Sequence, residues 1–121
     1  MTITIPLPPR ALHPNARPHW GTKAKAAKRY RRDCGIAAKA ALNENGPWKP
    51  LERATVQATL YYRRHGVRDQ DGAISSLKAA YDSLQDAGVI VNDSGLTHLP
   101  PLFRVDAEQP RVELEILENV E

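Results

Sequence analysis

The chain has 121 residues, the usual size of one domain and too short for two ordinary ones. Ten prolines and seven glycines make it loop-rich without reaching a disordered composition, and a hydrophobic fraction of 41% can fill one modest core. No run of 18 apolar residues exists, which excludes a membrane-spanning helix. The start, Met1-Thr2-Ile3-Thr4-Ile5-Pro6, has neither the basic nor the long apolar region of a secretory leader, and the lone Cys34 can form no internal disulfide. The expected location is the cytoplasm.

The net charge of +3 hides a division. Residues 1–68 hold fourteen Lys/Arg and three Asp/Glu, a net of +11, whereas residues 69–121 hold three and eleven, a net of −8. No acid precedes Asp33, while Arg10, Arg17, Lys23, Lys25, Lys28, Arg29, Arg31 and Arg32 accumulate. Such a density of like charge suits a polyanion, of which nucleic acid is the usual one. It equally suits a basic helix neutralised by the acidic half of its own fold.

In chain order, Thr2–Leu7 alternates and is β-branched, predicting a first strand that stops at Pro6-Leu7-Pro8-Pro9. Residues 8–20 read as a loop, with Pro9, Pro14, Asn15 and Pro18 as turn residues. A helix is expected from an N-cap at Thr22 to about Leu42, with Ala27, Tyr30, Cys34, Ala37 and Ala41 forming a narrow stripe of mostly small residues. Gly35 weakens that helix by about 1 kcal/mol and is a candidate kink. After a stop at Asn43–Pro50, Ala54–Tyr62 alternates as a half-buried strand.

The polar loop Arg63–Arg68 leads to a second helix, at most Gly72–Ala87, with Ile74, Leu77, Tyr81 and Leu84 inward and Gly88 just past its end. Val89-Ile90-Val91 is a brief extended run and Asn92-Asp93-Ser94-Gly95 a turn. Leu102–Val105 and Val112–Leu117 complete the strands. The expected fold is one α+β domain, a small mixed sheet with two main helices packed on it.

Chemistry concentrates between Arg68 and Asp93. In extended backbone Asp69 and Asp71 project to one side, and Asp93 follows a hydrophobic run that can enter the sheet beside them. Two bare carboxylates about 4 Å apart repel by up to about 4 kcal/mol at an effective dielectric of 20, so such a cluster calls for a cation. Its hard oxygen ligands suit Mg²⁺ or Mn²⁺. Lys78, seven residues past Asp71, returns to within about 20° of the same helical face. A metal-activated water beside a lysine that neutralises phosphoryl oxygens is the equipment of phosphodiester hydrolysis. Each residue also has an ordinary reading: Asp71 as a helix cap, Asp69 in a loop, Lys78 on an exposed face, Asp93 in a stock turn.

These segments resemble the RusA-type Holliday junction resolvases. The resemblance lies in Arg68-Asp69-Gln70-Asp71-Gly72, in Leu77-Lys78-Ala79-Ala80-Tyr81-Asp82-Ser83-Leu84 and in Asp86-Ala87-Gly88-Val89-Ile90-Val91-Asn92-Asp93-Ser94, matching the order D-x-D-N, K-x-x-x-D-x-L and A-G-hydrophobic-x-x-D-D. The proline-rich entry after Ile3-Thr4-Ile5, with Asn15 following, is also similar. The resemblance implies a Mg²⁺-dependent homodimeric endodeoxyribonuclease cutting four-way DNA junctions, with Asp69, Asp71 and Asp93 as metal-binding and catalytic acids and Lys78 as the essential lysine. Three positions depart from the pattern. Lys78 stands seven rather than four residues after the second Asp, Gly72 replaces the usual Asn, and Asn92 stands where a further Asp is common. The lysine shift is accommodated by a helix starting after Ser75, capped by Ser75 or Ser76, with Lys78 in its first turn.

Lys23, Lys25, Lys28, Arg29, Arg31, Arg32, Arg63, Arg64 and Arg68 are the candidate DNA contacts. Trp20 reads as a base-stacking or a core residue, and Cys34 as buried and inert. His13, His19, His65 and His98 lack metal-ligand spacing and read as loop residues. The expected partner is branched DNA, bound by a homodimer away from any membrane. The alternatives are a non-catalytic DNA-binding module and a nuclease for other branched DNA.

Overall fold

The computed structural model describes residues 1–17 and 19–119. Pro18, expected as a turn residue, lies outside the described residues. The strands are β1 (Thr2–Ile5), β2 (Ala54–Tyr62), β3 (Leu96–His98), β4 (Leu102–Val105) and β5 (Arg111–Glu118). The helices are α1 (Trp20–Asn45), α2 (Gln70–Ser76) and α3 (Lys78–Asp86). The fold is α+β, as the pattern of elements predicts.

β2 is the middle of the sheet. It pairs antiparallel with β5 from Ala54↔Glu118 to Tyr61↔Arg111, and β5 pairs antiparallel with the edge strand β1. On its other side β2 pairs parallel with β3 at its start and with β4 at its end. β3 and β4 are thus two pieces of one edge, interrupted where Pro100 and Pro101 have no N–H to donate. Gln57 spans the gap by donating from Nε2 to the Pro100 carbonyl at 2.8 Å.

Ile3, Ile5, Val56, Ala58, Leu60, Val112, Leu114 and Ile116 are buried on one face of this sheet, against Tyr30, Cys34 and Ala38 of α1 and Ala80, Tyr81 and Leu84 of α3. The alternation places alternate residues of each strand inward, and the helices cover them. Small residues let α1 lie close. Gly35 does not break it: α1 is one element through that position, and a Cβ there would meet Ser83 Cβ of α3 at 4.0 Å. Tyr30 anchors α1 to the end of β1 by donating to the Pro6 carbonyl at 2.7 Å.

Several boundaries differ from expectation. β1 ends at Ile5, because Pro6 breaks the ladder. α1 starts three residues early, capped by His19, whose ring accepts from Gly21 N–H, rather than by Thr22. The expected second helix is two helices meeting at Leu77 (φ −92°, ψ −1°). It starts at Gln70, before Gly72, and neither Ser75 nor Ser76 caps α3: Ser76 Oγ instead donates back to the Ala73 carbonyl at 2.9 Å. Gly88 follows α3 at φ +83°, the left-handed conformation expected of it. Val89–Val91 does not enter the sheet; Ile90 makes an isolated parallel bridge to Leu51.

Candidate functional site

Asp69 occupies the N-cap of α2. Its backbone is extended (φ −105°, ψ 119°), and its carboxylate turns onto the helix start, Oδ1 accepting from Asp71 N–H and Oδ2 from Gly72 N–H, each at 3.2 Å. This is the satisfaction of orphan donors that a capping Asp provides. Because Gln70 and Asp71 are already helical, the alternation that would aim Asp69 and Asp71 to one side does not apply. Asp71 lies in the first turn, exposed, where a carboxylate is favoured by the helix dipole.

Asp93 is held elsewhere. It opens the 3-10 turn Asp93–Gly95, its backbone N–H donating to Gln85 Oε1 near the end of α3 at 3.1 Å, while Asn92 caps the turn by accepting from Ser94 N–H. The expected three-carboxylate cluster is therefore not assembled. Among the described residues no three His, Cys, Asp or Glu side chains come together as a metal-holding group. The reason is local: the first two acids begin α2, the third is tied to the last turn of α3, and Val89–Val91 pairs with Leu51 rather than with the sheet.

What does come together is Lys78 with Asp93. Both line a cleft of 380 Å³ with Ser75, Tyr81, Asp82 and His98. Lys78, Ser75 and Asp82 also line a neighbouring groove of 580 Å³, together with Lys23, Lys28 and Arg31 of α1 and an apolar floor that includes Leu12 and Ala27. Lys78, Ser75 and Asp82 are thus shared by both. The Lys78 ammonium lies 3.5 Å from Asp82, an i,i+4 pair, and its side chain is 80% exposed. Arg31 reaches the same Asp82 carboxylate at 3.9 Å. His98 stacks edge-on against Tyr81, with ring centroids 4.4 Å apart. Burial holds the His98 imidazole below its usual pKa, opposed by the charge of Asp93.

The basic candidates divide among several surfaces. Lys23, Lys28 and Arg31 face the groove; Lys25 and Arg29 line another cleft, beside Pro6, Leu7 and Pro9. Arg32 lies 3.8 Å from Asp33. Arg64 and Arg68 line a third cleft with His65 and Arg104, where the Arg68 guanidinium sits 3.9 Å from the Tyr62 ring centroid. Arg63 is exposed. Trp20 is 78% exposed at the start of α1, so it is not a core residue.

Comparison with models of protein families gives no match. The chain is similar to an uncharacterised protein of Xylella fastidiosa, 31% identical over 87 residues that make up 71% of this chain and 56% of that protein. The chain therefore spans little more than half the length of the curated relative it matches.

Sequence reasoning missed Asp82, Ser75 and His98 as site neighbours. Asp82 was legible, standing four residues after Lys78 in the motif Lys-x-x-x-Asp. His98 was not, because Leu96-Thr97-His98 is too short for alternation to announce a strand.

Proposed function

We propose that the chain is a metal-dependent endodeoxyribonuclease for branched DNA, of the RusA type its motif order resembles, resolving four-way junctions in recombination and repair. The observation that carries this reading is the position of Lys78 between a groove lined by Lys23, Lys28 and Arg31 and the cleft that contains Asp93. A phosphodiester backbone lying on the groove lysines reaches the Lys78 ammonium beside a carboxylate. There the ammonium can neutralise charge that grows on the phosphoryl oxygens.

Asp69, Asp71 and Asp93 offer the hard oxygens that suit Mg²⁺ or Mn²⁺. A cation bound by them would supply a polarised water and counter-charge at the phosphate. As arranged they stand apart, so holding one ion among them requires the carboxylates to be drawn together. A homodimer is the economical assembly, since a four-way junction is nearly two-fold symmetric and needs two matched cuts. The cytoplasm is the compartment this reading implies.

The second reading is a DNA-binding module without catalysis. It is favoured by Asp69 acting as a helix cap and by the separated acids. Incubation with synthetic four-way junction, flap and linear duplex, with and without Mg²⁺, decides between them. Mg²⁺-dependent cleavage of the junction that Asp93→Asn abolishes supports the nuclease. Binding without cleavage selects the module, and preferential flap cleavage selects a nuclease for other branched DNA.

A further inference from the structure

The arginines at the far end of the sheet are arranged unlike those of the groove. β2 and β4 run parallel and finish side by side, with Tyr62 paired to Val105. A cleft of 240 Å³ lies there, and its lining includes Tyr62, Phe103, Arg64, His65, Arg68 and Arg104. It shares no residue with the groove or with the Asp93 cleft.

No acidic side chain lines this cleft, and among the described residues no carboxylate forms an ion pair with Arg64, Arg68 or Arg104. The acids that flank it along the chain are engaged elsewhere. Asp69 accepts from the N–H groups it caps, and Asp106 is held by Arg111 at 2.8 Å. Arg31 in the groove has two carboxylates beside it; these arginines have none. Their charge is left for an anion.

The rings decide which anion. The Arg68 guanidinium lies 3.9 Å from the Tyr62 ring centroid and donates to the Arg64 carbonyl at 3.2 Å, which fixes it against the ring. A guanidinium stacked in this way keeps in-plane N–H groups for a phosphate. The Phe103 ring is 6.2 Å from that of Tyr62, and both are only partly buried. Arginines bind phosphate, while aromatic rings and guanidinium planes stack on bases. A nucleotide carries both groups. In a duplex each base face is covered by its neighbours, so only an unpaired nucleotide can use the rings. An acidic peptide would use the arginines and leave the rings idle.

We propose that this cleft binds an unpaired nucleotide of a DNA strand, its phosphate on Arg64 and Arg104 and its base against Phe103 and the Arg68–Tyr62 stack. The assignment deepens the DNA reading and does not require cleavage. Arg68 directly precedes the Asp69 cap of α2, so a strand leaving a branch point is held beside the helix that carries Ser75 to the groove.

The test uses the full chain without metal and three probes: a fluorescent oligothymidylate, a duplex of the same length and a polyglutamate peptide. Arg64 and Arg104 are exposed, so their replacement leaves the core intact. Arg64→Ala and Arg104→Ala are each expected to weaken oligothymidylate binding about fivefold or more and duplex binding by less than about twofold. Phe103→Leu should weaken the oligothymidylate by a similar factor, the low end of what loss of a stacking ring costs. Photo-crosslinking of the parent protein to an oligothymidylate carrying 4-thiothymidine needs no variant, and should mark peptides that contain Tyr62 or Phe103.

Parental oligothymidylate binding by both arginine variants overturns the proposal, as do crosslinks confined to α1. Equal losses on oligothymidylate and duplex reduce the cleft to a backbone contact and overturn its preference for an unpaired nucleotide. Polyglutamate bound as tightly as the oligonucleotide overturns it in favour of an acidic peptide. Junction cleavage by a parent whose arginine variants bind normally removes the cleft and leaves the nuclease reading. Absence of cleavage with arginine-dependent binding removes the nuclease reading and leaves the cleft.

Discussion

Arg31 on α1 and Asp86 on α3 are joined by a two-point hydrogen bond, Nε to Oδ2 at 2.5 Å and the terminal nitrogen to Oδ1 at 2.8 Å. Arg31 also lies 3.9 Å from Asp82. The division of charge along the chain is thus partly answered inside the fold, where an arginine of the basic half meets aspartates of the acidic half. The hydrogen bonds from Arg31 hold the Asp86 carboxyl below its usual pKa.

Both side chains are nearly half exposed, so their coupling is expected to be small, about 0.5 kcal/mol in a double-mutant cycle of Arg31→Ala and Asp86→Ala. Asp86 is depressed in the folded state, so its contribution is present above the unfolded carboxylate value. It is lost as pH falls through the lower folded one. Thermal unfolding of the cycle at neutral pH and at acid pH checks both points. A coupling that persists once Asp86 is protonated would contradict the assignment.

The same ion pair separates Arg31 from its neighbours in DNA binding. Lys23 and Lys28 face the groove, whereas Arg31 already has two carboxylates beside it. If the groove carries DNA, Lys23→Ala and Lys28→Ala should each reduce the slope of log affinity against log salt by about one. Arg31→Ala should reduce it by less. Titrations at several salt concentrations measure this, and an unchanged slope in both lysine variants would move the binding surface away from the groove.

Much of this fold was legible because period-two alternation is a strong signal. Val56, Ala58 and Leu60, and Val112, Leu114 and Ile116, are buried as their strands predicted. Asp69 shows why the site was less legible. The Asp-x-Asp spacing has one geometry in extended chain and another once a helix begins at the middle residue, and the helix begins there, at Gln70.

Cys34 gives a test of the core. It is buried with no relative exposure, and burial pushes its thiol up to about 12. The native protein should not react with a thiol reagent at pH 8, while the protein unfolded in guanidinium should react fully. The folded state favours the neutral thiol. Stability should therefore fall as pH rises from the ordinary thiol value towards the folded one, and Tyr81, also raised to about 12, should add to that fall. Thermal unfolding between pH 8 and pH 11 measures it, and Cys34→Ala should flatten part of the slope.

Asp69 is a helix cap and a candidate catalytic acid, and two substitutions separate the roles. Asparagine caps about as well as aspartate, so Asp69→Asn should leave stability almost unchanged. Asp69→Ala removes both hydrogen bonds to the start of α2 and should cost about 1 kcal/mol. On the nuclease reading, both lose cleavage, and Asp69→Asn binds junctions as well as the parent or better, since repulsion of the phosphates is relieved. Near-parental cleavage by Asp69→Asn would restrict Asp69 to capping.

Lys78 provides the sharpest test of the proposed activity. Its side chain is 80% exposed and its charge is opposed only in part, by Asp82 at 3.5 Å. Ordinary surface lysines can be replaced with little effect on stability, so Lys78→Ala should unfold within a few tenths of a kcal/mol of the parent. Cleavage should nevertheless fall by about a hundredfold or more, the scale of losing one electrostatic stabiliser of a transition state. Lys78→Arg should retain part of the rate, because it keeps the charge with a different shape. Ser75 gives a second arm. It lies in α2, one turn nearer Asp71 than Lys78, and lines both the groove and the Asp93 cleft. Because Ser75 belongs to α2 and Lys78 opens α3, the double change Ser75→Lys with Lys78→Ala moves the ammonium out of the first turn of α3 and should not restore the rate. Recovery would mean that an ammonium from either helix serves the boundary of the groove and the cleft. Full activity of Lys78→Ala alone would remove the lysine from the chemistry and leave the groove as a binding surface only.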